Sequence, residues 1–130
     1  MDQQMETLLG LMEEEKYEES ITLAHKILAT NPSQLDAASC LYTIGYAKSE
    51  LGEGDSALPF LLEAVTTFPA TEAELIAAAQ SEVARFQFAS KHFNSALFFV
   101  QMAIDNFTAT GNDEMKASCE SLRELILRES

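Results

Sequence analysis

The sequence predicts an all-helical protein, a row of three helical hairpins closed by a terminal helix. Three observations carry this expectation. Apolar residues recur at spacings of three and four, the mark of one face of a helix. The five glycines and three prolines are few and punctuate the periodic stretches, while Ala, Leu, Glu and Met recur throughout. A short pattern of an aromatic or turn residue, a small residue, an apolar residue and another small or apolar residue returns three times along the chain.

That pattern reads Tyr17, Ser20, Ala24, Ile27, then Gly54, Ala57, Leu61, Ala64, then Phe93, Ala96, Val100, Ala103, at intervals of 37 and 39 residues. Each copy is the second helix of a hairpin, which bounds three repeats at about 1–33, 34–70 and 71–109. Further helical stretches precede the second and third copies, at roughly 34–51 and 71–90. Ser33-x-x-Asp36 and Thr71-x-x-Glu74 stand at their starts as capping boxes for the orphan N–H groups of a first turn. Gly52 and Gly54 break the second hairpin and Lys91-His92 marks the matching corner of the third; Pro32 and Pro69 close the first two repeats. Pro59 is placed early in its helix, where a missing N–H costs little. From Asn112 to about Arg128, one side carries Met115, Cys119, Leu122, Leu125 and Ile126 and the other carries charge, as expected of a capping helix. The whole, 130 residues with 47% apolar content, fits one domain whose core needs neither disulfide nor metal.

With these residues in place the chain resembles the tetratricopeptide repeat family. The second repeat matches best: Leu41, Ile44, Gly45, Ala57, Leu61, Ala64 and Pro69 fall where the family has a large apolar residue, an apolar–Gly pair, a small residue, an apolar residue, a small residue and Pro. The first repeat matches through Tyr17, Ser20, Ile27 and Pro32, with Leu8 where the family has Gly. The third matches through Phe93, Ala96 and Ala103, with Ala84 for the Gly and Thr108 for the closing Pro. Both intervals exceed the family's usual period of about 34 residues, which implies longer first helices or inter-repeat loops. The resemblance implies a right-handed α-solenoid of three hairpins plus a C-terminal capping helix, whose first helices line a concave peptide-binding groove. On that register the groove is lined by Met5, Leu9 and Met12, by Tyr42 and Tyr46, and by Arg85 and Phe88, with Glu6, Glu13, Glu50 and Glu82 alternating among them. Such a surface suits a protein or peptide with an apolar or amphipathic segment, and its acidic border suits flanking Lys or Arg. The clamp by which some family members hold acidic chaperone tails would fall at Met5, Leu9, Thr43, Ala78 and Glu82, none of them basic. The implied role is an adaptor or assembly scaffold. The alternative is a cytoplasmic type III secretion chaperone that shields an apolar export segment, which these acidic repeats and trailing helix also resemble. The apolar stripe of Ala57, Leu58, Phe60, Leu61, Leu62, Ala64, Val65 and Phe68, extended by Phe98, Phe99 and Met102, leaves room for a homodimer and for binding on the convex face.

Charge narrows the partners. A formal −13, from 21 acids against 8 bases, repels phosphate backbones and anionic lipid, so neither nucleic acid nor a membrane is expected. The start Met1-Asp2-Gln3-Gln4-Met5-Glu6 has no basic leader, and no apolar run reaches the roughly 20 residues of a membrane span, so a cytoplasmic protein is expected. An enzyme is the remote alternative. His25 and His92 stand far apart without partners in sequence, Cys40 and Cys119 read as buried free thiols, and Glu13-Glu14-Glu15 lacks the alternation and Gly of a calcium loop. Gly52-Glu53-Gly54 lacks the Lys-Ser or Lys-Thr of a phosphate loop. No catalytic residue, metal ligand or cofactor is therefore expected.

Overall fold

The computed structural model describes residues 2–130, so Met1, the first residue of the first expected repeat, lies outside it. The described residues form α1 (Gln3–Glu13), α2 (Tyr17–Leu28), α3 (Gln34–Glu50), α4 (Gly54–Thr67), α5 (Ala73–Ala89), α6 (Phe93–Thr110) and α7 (Asp113–Glu129), and no strand. They divide into two compact units, the first ending at Pro69 and the second running Ala70–Ser130. In the first, α3 packs on α2 and α4, and α1 packs on α2 and touches α3. In the second, α6 packs on α5 and α7, with a smaller contact between α5 and α7.

The repeat is written into the backbone at the helix ends. Lys16 N–H donates to Leu11 O (2.9 Å), Glu53 N–H to Lys48 O (2.8 Å), His92 N–H to Gln87 O (2.8 Å) and Asn112 N–H to Phe107 O (3.0 Å). The residue before each donor turns left-handed, with φ of 58° at Glu15, 81° at Gly52, 64° at Lys91 and 73° at Gly111. Each corner is thus a Schellman turn, which satisfies carbonyls that the ending helix leaves orphaned and reverses the chain into the next helix. Glycine enters this conformation freely; Glu15 and Lys91 do so at a cost of about 1 kcal/mol each.

The recurring pattern is the inner face of the second helices. Ser20, Ala24, Ile27, Ala57, Leu61, Ala64, Ala96, Val100 and Ala103 are all buried. Small residues at these places let the paired helices approach, and Ser20 satisfies its buried hydroxyl by donating to Lys16 O at 2.7 Å. The closest approach lies between α3 and α4: a Cβ placed on Gly45 would stand 2.7 Å from Leu61 Cγ and Cδ2 and 3.2 Å from its backbone N.

Two local expectations are corrected. Ser33 does cap α3, accepting from Asp36 N at 3.2 Å, but Thr71 caps nothing: α5 starts at Ala73 behind Glu72, with no side-chain cap. Pro59 lies within α4 rather than in its first turn, so the Asp55 carbonyl loses its ladder donor, and the proline itself is exposed.

Candidate functional site

The surface with the most recognition chemistry lies in the first unit, between α1 and α3. Tyr42 and Tyr46 are one turn apart on α3, which stacks them on one face with ring centroids 6.1 Å apart and planes tilted by 44°. The Schellman corner after α1 sets Tyr17 at the start of α2, where its ring reaches to 6.3 Å from Tyr46. From the facing side α1 contributes Leu9, Met12 and Glu13, and these three with Tyr42 and Tyr46 line an open recess of about 390 Å3. Leu9 is 49% exposed, well beyond what a packing residue needs. All three tyrosines of the chain are therefore in one cluster, and the chain has no tryptophan.

The rim is acidic. Glu13, Glu15 and Glu50 are exposed, and burial followed by the carboxylates of Glu15 and Glu50 pushes the Tyr17 phenol above its ordinary value. Twelve acids against three bases in the first unit, compared with nine against five in the second, make this the more negative half. The recess itself is lined by a carboxylate and no cation.

The expected groove residues fare unequally. Leu9, Met12, Tyr42 and Tyr46 come together as described. Met5 does not join them: it is 6% exposed and its Sδ lies 3.9 Å from Cys40 Sγ, because its side of α1 packs against the core with Leu8. In the second unit, Arg85 pairs with the half-buried Glu82 at 2.7 Å. Phe88 packs on that unit's core, its ring 6.1 Å from Phe93. Tyr17 is the site residue that sequence reasoning missed: it was legible as a repeat position, and its ring contact depends on how the α1–α2 corner turns.

No protein-family model matches this chain, and comparison with curated proteins and with solved structures finds no match either. Both cysteines are free and buried. Burial, aided by Asp36, pushes the Cys40 thiol up to about 11, while at Cys119 burial raises the thiol, Arg85 lowers it and Glu82 raises it. Thiols held protonated in this way are poor nucleophiles at neutral pH. His25 sits edge-on to Phe60 at 5.9 Å, and His92 Nδ1 is 2.9 Å from Gln87 Oε1. Among the described residues, no group of three or more His, Cys, Asp or Glu is placed to hold a metal ion, and no helix is long and apolar enough to cross a membrane.

Outside the recess, the apolar stripe foreseen on the second helices is mostly interior. Ala57, Leu61, Ala64 and Phe68 are buried, Phe60 and Phe99 are half-buried, and Met102 accepts from Gln80 Nε2 at 3.7 Å. Phe98, at 62% exposure, and Leu62 are what it leaves outside.

Proposed function

We propose that this protein is a helical-repeat interaction module of the tetratricopeptide type, which binds an apolar or amphipathic segment of another protein on the α1–α3 face. No catalytic step belongs to this reading. The observation that carries it is the recess of Leu9, Met12, Tyr42 and Tyr46 with Glu13 on its wall. Methionine and leucine adapt to a ligand's shape, tyrosine offers a rigid apolar face with a polar tip, and such surfaces bind side chains rather than perform chemistry. The matching corners and the buried small-residue faces support the repeat assignment.

Affinity capture from cytosol tests it. Wild type is expected to retain a protein that Leu9→Asp and Tyr42→Ser both release, while Phe98→Asp retains it, each variant first shown to fold by circular dichroism. Capture that survives both recess variants would refute this reading, and loss only with Phe98→Asp would move binding to α6.

A further inference from the structure

The tyrosine cluster says more about the partner than that it is apolar. Tyr46 joins the Tyr17 ring, 6.3 Å away, to the Tyr42 ring, 6.1 Å away, so electron-rich phenols stand beside exposed carboxylates, and among the described residues the lysines of the same unit are directed elsewhere. Lys16 is 3.8 Å from Glu14. Lys48 is 3.5 Å from Glu53 and 6.0 Å from the centre of the Phe60 ring. Lys26 lines a different recess with Leu11 and Leu23. The described residues that line the α1–α3 recess are thus aromatic, apolar and anionic, with no lysine or arginine among them.

We infer that this recess is specific for an arginine set beside an apolar side chain in the partner segment, with the guanidinium over the Tyr42 and Tyr46 rings facing Glu13 and the apolar side chain on Leu9 and Met12. The inference rests on the reading of the recess as a peptide site. A guanidinium is planar and weakly hydrated, so it stacks on a phenol face while still donating to a carboxylate; a lysine ammonium gives only the point charge. The second unit has a built-in contrast. Thirty-nine residues after Tyr42 and Tyr46 stand Ser81 and Arg85, so the matching face there carries its own guanidinium, already paired with Glu82.

The test uses the full chain and a displayed library of random dodecapeptides, followed by synthetic versions of the selected peptides. With no tryptophan in the protein and all three tyrosines in the cluster, the protein's own tyrosine emission, followed with peptides free of Tyr and Trp, reports on this site alone. Selected peptides are expected to carry Arg within a helical turn of an apolar residue and to change that emission on binding. Replacing the Arg with neutral citrulline is expected to weaken binding about tenfold, and Lys to weaken it less. Tyr46→Phe, which keeps the ring, should bind like wild type; Tyr46→Leu, which keeps only apolar bulk, should match the citrulline loss. Peptides that bind and perturb the tyrosines but ignore citrulline would overturn the arginine inference and leave the peptide site standing. Peptides that bind without perturbing the tyrosines, or no selected peptide at all, would overturn both.

Discussion

Hairpins α3–α4 and α5–α6 are two solutions to one problem. Both close on the same Schellman corner, and both bury small residues where their helices meet. They differ in how the meeting point is filled. The first sets Gly45 against Leu61, with no room for a Cβ, and thirty-nine residues on the second buries Ala84 and Val100 in one cluster. One carbon has moved from one helix to the other, leaving the pair's total unchanged, the kind of exchange that cores tolerate best. The tyrosine positions differ more: where the first unit has the half-buried Tyr42 and Tyr46, the second has the buried Ser81 and the half-buried Arg85. The meeting point exchanges volume in a compensating pair because packing couples its two members, whereas Tyr46 and Arg85, which both keep exposed surface, give the two units different chemistry.

The largest effect should come from emptying the core where each second helix ends. Phe107 is 1% exposed, inside α6 and in one cluster with Cys119 and Ile126 of α7; Phe68, 5% exposed, is only the C-cap of α4. Phe107→Ala is expected to cost about 3–5 kcal/mol in urea unfolding, with Phe68→Ala at or below the lower end. Equal costs would remove α7 as the source of the difference.

Next comes the compensating pair. Gly45→Ala should cost about 1–3 kcal/mol by forcing Leu61 aside. Adding Leu61→Val, which reproduces the Ala and Val of the second unit, should recover most of that loss. A double variant no more stable than Gly45→Ala alone would break the packing comparison.

The corners should respond by about 1 kcal/mol each, in opposite directions. Glu15→Gly and Lys91→Gly relieve a left-handed residue and should stabilise, while Gly52→Ala should destabilise. Thermal melts of the single variants would check this, and a destabilised Lys91→Gly would contradict the assigned turn.

The last effect is absent at neutral pH and emerges only in alkali. The Cys40 thiol is raised in the folded protein from 9.0 to about 11, so its contribution to stability is complete below pH 9.0 and is lost as pH rises towards 11. Cys40→Ala should flatten that alkaline decline, measured by denaturation across the interval, and an unchanged slope would show that this thiol does not set it.

Much of this was legible before any coordinates. The second helices announced themselves because their buried positions keep one spacing through three copies, and periodicity is what burial imposes on a helix. Gly52 announced its corner because glycine is the natural left-handed residue; Glu15 did not, since glutamate is an ordinary helix former and only the backbone bond from Lys16 to Leu11 reveals the turn. The first helices were harder to orient. Met5 and Leu9 are one turn apart, yet one is core and the other surface, because α1 lies against two neighbours at once and the border of its buried face passes between them. Tyr17 was visible as a repeat landmark but not as a neighbour of Tyr46, a contact that depends on the corner and leaves no trace in spacing.

The central claim is that the α1–α3 face of the first unit, and not the outer face of α6, receives the partner. Amide and tyrosine-ring chemical shifts of the full chain, followed while a library-selected peptide is added, test it most directly. Shifts concentrated at Leu9, Met12, Tyr17, Tyr42 and Tyr46, with Phe98 and Arg85 unmoved, are the expected result; shifts centred on Phe98 with the tyrosine rings unmoved would contradict it.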